Sequence, residues 1–437
     1  MSGAPLISFY GDDFTGSTDA MEALSANGIE TVLFTRLPSA DELAAFAHCQ
    51  AVGLAGTSRS QSPSWMDRDM REAFIWLKTL QAAHCHYKVC STFDSAPHQG
   101  SIGRALEIGL DVFDQQVAAI VVGVPQLRRY TFFGHLFAGY RDAVYRIDRH
   151  PVMSRHPATP MGEADLVLHL AAQTDLPIAR IGGREATTGS VAALRHGRAR
   201  GVLIDVHDLA TQRAAGEFIL DGEEIFGPFI IGSSGVDYAL IAAWRARGVL
   251  PPTLPSFEPL RREARIAVVS GSCSPTTERQ IRTAAQAGFV PIEVDYRAIA
   301  SGLNVDAVID TALSQALAVL QAGQSPILHT ALGPDTTLSI EAAENDAVGR
   351  ALGHALDEII ARTNLTRVVV AGGDTSSHAL SQLGIFALTL RHPITQSPGS
   401  PVCLAHRDTG GTTEITLKGG QIGNDDYFVK IRDGTVS

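Results

Sequence analysis

Short apolar runs alternate with helical patterns from the N-terminus to about Arg245, stop at a proline-rich stretch, and resume at Arg265. Strand-length runs separated by helix-length segments call for a parallel sheet covered by helices, because parallel strands need long crossover connections. The predicted strands in the first half are Leu6–Tyr10, Thr31–Thr35, Ala51–Ala55, Tyr87–Cys90, Ala118–Val124, Ile178–Ile181, Val202–Val206 and Pro228–Ile231. Intervening segments repeat apolar residues at helical spacing, as in Met70, Phe74, Leu77 and Leu80, and so supply core faces. Residues 247–263 hold four prolines and no periodicity, which suits a stiff, extended connection. The expected architecture is α/β, with two α/β domains, each a mostly parallel sheet flanked by helices, and an interdomain cleft. The predicted boundaries are residues 1–246, a linker at 247–263, and residues 264–437.

Composition narrows the class. Of 437 residues, 45% are apolar and 19% charged, which is ordinary for a globular enzyme. A net charge of −11 with no basic run argues against a nucleic-acid partner. The chain has no 18-residue apolar stretch and no basic-then-apolar leader, so the expectation is a cytoplasmic protein without membrane contact. The five cysteines are scattered and never spaced Cys-x-x-Cys, as expected of reduced thiols. A strand through Cys85–Ser91 would put His84, His86, Lys88 and Cys90 on one face, where zinc is conceivable. Structural zinc sites, however, usually draw paired ligands from two segments.

The densest chemistry lies in Gly11-Asp12-Asp13-Phe14-Thr15-Gly16-Ser17-Thr18-Asp19, between a predicted strand and a predicted helix. At such a turn an open α/β sheet forms its ligand crevice. Adjacent carboxylates there suit a metal, a phosphate-bound metal, or proton abstraction from a hydroxyl; the alternative is a helix N-cap beside a solvated acid. Gly56-Thr57-Ser58-Arg59-Ser60 follows the strand ending at Ala55, so Arg59 either clamps a carboxylate or sits on the surface before a helix. The stretch Lys88 to Gly103 is a third polar loop, in which Asp94 and Ser95 suit substrate hydroxyls and Lys88 an acid or phosphate. Together these loops describe a pocket for a small polyhydroxy acid. Residues 125–161 break the alternation with Arg128, Arg129, an aromatic run from Tyr130 to Phe137, His150 and His156. They read as a hairpin that lids the crevice or makes a dimer contact, so the sequence is compatible with a homo-oligomer.

The second half carries three small-residue loops after predicted strands: Ser270-Gly271-Ser272-Cys273-Ser274, Gly372-Gly373-Asp374-Thr375-Ser376, and Lys418-Gly419-Gly420-Gln421-Ile422-Gly423. Free amides and hydroxyls at helix starts suit phosphate groups. No Gly-x-x-x-x-Gly-Lys-Ser/Thr occurs, and no Gly-x-Gly-x-x-Gly opens a strand-helix unit, which excludes a Walker loop and removes the main support for a dehydrogenase.

In order and combination these motifs resemble the four-carbon acid sugar kinase family over essentially the whole chain. Gly11 to Asp19 matches its N-terminal signature, Cys90 to Gly103 its central loop, and Ser270–Ser274, Gly372–Ser376 and Lys418–Gly423 its nucleotide motifs. The resemblance implies phosphorylation of a small sugar acid by ATP, with the acid in the N-terminal domain, ATP in the C-terminal domain and transfer across the cleft. Mg2+ would bridge the ATP phosphates, and no side chain is assigned as a metal ligand. Carried over by position, the acid residues are Asp12 or Asp13, Arg59, Lys88, Asp94 and Ser95. The ATP residues are Ser270 or Ser272, then Gly372, Gly373, Asp374 and Thr375, then Gly419 and Gly420. Either Asp13 or Asp94 takes the proton of the acceptor hydroxyl. Departures from the 3-oxo-tetronate kinase branch fall at Asp94-Ser95-Ala96-Pro97 and Gly100-Ser101-Ile102-Gly103, and at Pro125 to Arg129, all on the substrate side. A branched acid such as 3-oxo-isoapionate therefore stands beside 3-oxo-tetronate, threonate and erythronate. Two rival readings are a metal-dependent hydrolase or aldolase using Asp12 and Asp13, and a ligand-sensing module. Neither accounts for three glycine-hydroxyl loops in one domain.

Overall fold

The computed structural model describes residues 3–156, 159–183, 186, 197–333, 342–394, 396, 397 and 399–436, the side chains of 342–345, 374 and 377 excepted. Its contacts divide the chain into two units. The first comprises Met1–Asp12, Ala23–Val32 and Leu37–Pro255; the second comprises Asp13–Glu22, Leu33–Arg36 and Ser256–Ser437.

In the first unit the strands are β1 (Ile7–Gly11), β2 (Thr31–Phe34, of which Leu33 and Phe34 group with the second unit), β3 (Ala51–Ala55), β4 (His84–Lys88), β5 (Ala118–Val121), β6 (Arg129–Phe132), β7 (His135–Tyr140), β8 (Ala143–Arg146), β9 (Ile178–Ile181), β10 (Gly201–Ile204) and β11 (Phe229–Gly232). The main sheet runs β2-β3-β1-β4-β11-β5-β10-β9. The ladders from β3 to β9 are parallel, as helical crossovers require. Gly11 stands in register with Ala55 of β3 and Lys88 of β4. The three polar loops foreseen from the sequence thus leave the sheet level with one another, at its carboxyl edge.

The strand predicted at Tyr87–Cys90 ends earlier, at Lys88, because the chain turns where the Phe93 amide bonds Cys90 O and Phe93 takes φ of 56°. Lying between β1 and β11, β4 is buried throughout. On its histidine face, His86 bonds Asp237 through Nδ1 and Gly232 O through Nε2, both at 3.0 Å. The described part of residues 125–161 folds largely as a separate antiparallel sheet, β6-β7-β8, whose first turn puts Phe133 and Gly134 at positive φ.

The second unit contains β12 (Ala267–Ser270), β13 (Phe289–Glu293), β14 (Ser325–His329), β15 (Arg367–Ala371), β16 (Ile385–His392), β17 (Val402–Arg407) and β18 (Thr412–Lys418), in the order β13-β14-β12-β15-β18-β17-β16. The first five strands of that order pair in parallel, and β17 is antiparallel to both neighbours. The reason is local: Asp408–Gly411 is too short for a crossover and turns through Gly410 and Gly411 at positive φ. The unit's core gathers Ile266, Val268, Val369, Phe428 and Ile431.

Residues 13–22, the first part of the helix Phe14–Ser25, group with the second unit through specific bonds. The buried Glu22 carboxylate accepts the amides of Ile394 at 2.8 Å and Gly399 at 2.6 Å, and Thr18 Oγ1 donates to Gly399 O at 3.2 Å. Burial pushes Glu22 up to about 8, against the pull of those amides.

Candidate active site

The acid-side loops are tied together by backbone. The Asp12 amide donates to Lys88 O, the Arg59 amide to Asp12 O and the Gly56 amide to Gly11 O, at 2.9, 3.1 and 2.9 Å. Gly100, with φ of 60°, donates its amide to Gln61 O at 2.8 Å, and a Cβ there would lie 2.4 Å from Arg59 O. Only glycine therefore lets the Asp94 loop lie against the Arg59 loop.

Arg59 and Asp94, each foreseen as a contact for substrate, meet one another: Arg59 Nη2 is 2.7 Å from Asp94 Oδ2. Thr92 Oγ1 donates to Asp94 Oδ1 at 2.5 Å, Thr159 Oγ1 to Oδ2 at 2.9 Å, and His156 Nδ1 lies 3.9 Å from Oδ2. Burial alone would raise the Asp94 pKa, but Arg59, His156 and the two hydroxyls override it and hold the carboxyl at about 2. Ser95 is buried with its Oγ 2.8 Å from His169 Nε2 and accepting Gln173 Nε2 at 2.9 Å. Burial moves His169 below the usual imidazole range. Asp12 and Lys88 are both buried beside these loops, and Lys88 Nζ donates to Val89 O at 3.1 Å.

Asp13 parts from Asp12 and belongs to the second unit. Its Oδ1 accepts the Gly16 amide, so it caps the helix Phe14–Ser25. The Thr15 methyl lies 3.4 Å from where a Cβ on Gly419 would stand, bringing the signature helix to the last glycine loop of that unit.

The three glycine-hydroxyl loops of the second unit converge. The Gly271 amide donates to Ala371 O and the Gly372 amide to Lys418 O, at 3.2 and 2.8 Å. Ser272 Oγ accepts the Ser274 amide and lies 3.1 Å from Thr277 Oγ1, while Ser274 Oγ caps the helix Pro275–Ala285 through the Thr276 amide. Gly372 has φ of 121°, and a Cβ there would stand 2.8 Å from Thr375 Oγ1. A Cβ on Gly420 would stand 2.9 Å from Ser272 Oγ, whereas one on Gly373 would meet nothing within 4 Å. Ser270, Ser272, Gly372, Gly373, Thr375, Gly419 and Gly420 thus share one neighbourhood; the side chain of Asp374 lies outside the described residues.

Some participants escaped the sequence reading. Thr159, His169 and Gln173 reach the Asp94 loop from 65 to 78 residues away in the chain, and no local pattern marks them. Lys418 carried a signal: it is a charge closing an apolar strand just before paired glycines. Its Nζ is fully buried and donates to Gly419 O at 2.8 Å, Thr277 Oγ1 at 3.2 Å and Gly420 O at 3.4 Å. Burial pulls its pKa down to about 7. Among the described residues no three His, Cys, Asp or Glu side chains group to hold a metal. Hydroxyls and amides of this kind fit phosphate oxygens, and with them a hydrated Mg2+ carried on the nucleotide.

Comparison with known proteins assigns a domain model to each group of loops. Residues 7–240 match the family model of a sugar-binding N-terminal domain, and residues 267–428 that of a nucleotide-binding C-terminal domain. The 3-oxo-isoapionate kinase of Paraburkholderia graminis is 44% identical over 99% of this chain and 95% of its own. The 3-oxo-tetronate kinase of Methylobacterium radiotolerans is 31% identical, with 97% of each chain covered. A crystal structure from Salmonella typhimurium LT2, described as a tRNA synthase, matches with a TM-score of 0.75 at 25% identity, covering 97% of this chain and 98% of its own. No described helix is long and apolar enough to cross a membrane. With both domain models and a full-length relative in agreement, the chain belongs to the four-carbon acid sugar kinase family.

Proposed function

We propose that this protein is an ATP-dependent kinase that phosphorylates a hydroxyl of a small sugar acid. One observation carries the reading: the sugar-binding model covers the loops of the ionic cluster around Asp94, and the nucleotide-binding model covers those of the glycine-hydroxyl cradle. Residues 1–246 supply the acid side through Asp12, Arg59, Lys88 and Ser95. Residues 264–437 supply the phosphate cradle, and residues 247–263 connect them.

Phosphoryl transfer asks the protein chiefly for positioning and charge stabilisation. Asp94 is held at about 2 and surrounded by donors, which makes it a weak base and suits it to fixing Arg59. Asp13, at the start of the helix Phe14–Ser25, takes the role of proton acceptor. As the substrate oxygen bonds the γ-phosphorus and the bond to the β-γ bridging oxygen breaks, the hydroxyl proton passes to the Asp13 carboxylate and ADP leaves. Ser270, Ser272, Thr375 and the amides of Gly372, Gly373, Gly419 and Gly420 hold the phosphates. Mg2+, carried on those phosphates, supplies neutralising charge.

The acid is a 3-oxo sugar acid, with branched 3-oxo-isoapionate ahead of 3-oxo-tetronate. This ordering is supported by the 44% identity to the relative named for the former, against 31% for one named for the latter, and by the altered Asp94 loop. The test is ADP release with ATP and Mg2+ against 3-oxo-isoapionate, the 3-oxo-tetronates, threonates and erythronates. A strong response to the branched acid is expected; a response only to a straight acid would overturn the ordering. Turnover of an acid without ATP would favour the hydrolase reading through Asp12 and Asp13.

A further inference from the structure

We propose that Arg129 is the carboxylate anchor of the acid site, the group that makes the enzyme choose acids over neutral polyols. This deepens the kinase reading above and rests on it.

Arg129 opens β6, at the base of the small sheet that leaves the main sheet after β5. Val124 and Arg129 exchange backbone bonds, at 2.9 Å from the Val124 amide and 3.2 Å from the Arg129 amide, which fixes that base just beyond the end of β5. β5 lies beside β11 and β11 beside β4, all parallel, so Arg129 emerges from the sheet edge that also launches the Cys90–Asp94 loop. It lies within electrostatic reach of the Cys90 thiol. Cys90 Sγ is 3.0 Å from Thr92 Oγ1, and Thr92 donates to Asp94. A short chain of contacts therefore runs from Arg129's neighbour to the ionic centre of the site.

What surrounds the guanidinium matters more. Its Nη1 donates only to carbonyls, those of Leu127, Arg128 and Gly139, at 2.9, 3.4 and 3.3 Å. Its Nε is buried without a hydrogen-bond partner. Among the described residues no carboxylate pairs with it. The titratable and charged groups that face it are Cys90, Arg128, Tyr130 and His150. Burial first, and Arg128 next to it, move its pKa below the ordinary arginine value, and Arg129 in turn helps hold His150 low. A partly buried guanidinium with no carboxylate partner favours an incoming counter-charge, and its planar fork matches a carboxylate. Arg59, the residue the sequence offered for that task, already faces Asp94 at 2.7 Å. A small carboxylate at Arg129 would neutralise that cation.

Wild type, Arg129→Gln and Arg129→Lys are compared by ADP release and by calorimetric titration. The probes are the acid that responds best in the panel above and its neutral amide. R129Q should weaken the acid about 10- to 100-fold in both kcat/KM and Kd, leave the KM for ATP unchanged, and bind the amide as wild type does. R129K should recover part of the loss, having the charge without the fork. Equal losses for acid and amide, or an unchanged acid affinity, would overturn the inference. Should wild type phosphorylate nothing in the panel, the kinase reading fails, and titrations with D-threonate and its amide still decide about Arg129. Discrimination present in wild type and lost in R129Q supports the anchor; none in wild type overturns it.

Discussion

The acid region depends on formal charges brought together from distant parts of the chain, with Arg59 on Asp94 at 2.7 Å and Thr92, Thr159 and His156 around the same carboxylate. The nucleotide region depends on backbone geometry: Gly372 at φ of 121°, carbonyls of Gly419 and Gly420 held by a buried lysine, and serine hydroxyls at a helix start. Charge pairs give selectivity that a single substitution can redirect, because changing one partner exposes the other. A phosphate cradle of amides and glycines tolerates less, since its donors are the chain itself.

The largest effect expected is on chemistry. Asp13→Asn should lower kcat at least about 100-fold with little change in either KM, whereas Asp94→Asn should act mainly on the KM for the acid. A collapse of kcat in the Asp94 variant alone, measured by ADP release, would move the base to the charged region. Next is Arg59→Ala, which leaves Asp94 buried without its cation and should cost about 3 kcal/mol of stability in denaturant unfolding. Gly372→Val forces a side chain onto Thr375 at a positive φ. It should raise the KM for ATP about tenfold or more and leave the binding of the acid intact.

The smallest effect separates the regions by pH. Asp94 falls from an ordinary value near 3.8 to about 2, so its contribution is complete above about pH 4 and is lost as pH drops towards 2. Lys418 falls from 10.5 to about 7, so between those values the unfolded chain holds a proton that the folded chain lacks. Stability should therefore rise with pH across that window, by at most about 1.4 kcal/mol per unit. Lys418→Met should flatten the rise. Urea unfolding between pH 7 and 9 reads the slope, and an equal slope in both proteins would mean that Lys418 does not cause it.

Much of this was legible in the sequence because it was local. Strand-to-helix turns with glycine, serine and paired acids announce themselves within ten residues, and β1, β3 and β4 bring three such turns level. The choice of partner was not local. Nothing within Gly56–Ser60 says that Arg59 will face Asp94, and nothing near Thr159 says that it will donate to the same carboxylate. The separation of Asp12 from Asp13 also escaped notice, since it depends on Glu22 reaching amides more than 370 residues away. The antiparallel β17 was missed because its apolar pattern does not distinguish it from a parallel strand.

Hydrogen–deuterium exchange of the wild-type protein, with a non-hydrolysable ATP analogue and with the sugar acid in separate experiments, tests the division of labour most directly. The nucleotide should slow exchange in residues 270–277, 371–376 and 418–423 and leave residues 56–61 and 88–95 unchanged, while the acid alone does the reverse. Protection of residues 56–61 and 88–95 by the nucleotide, with residues 371–376 and 418–423 unaffected, would contradict the account.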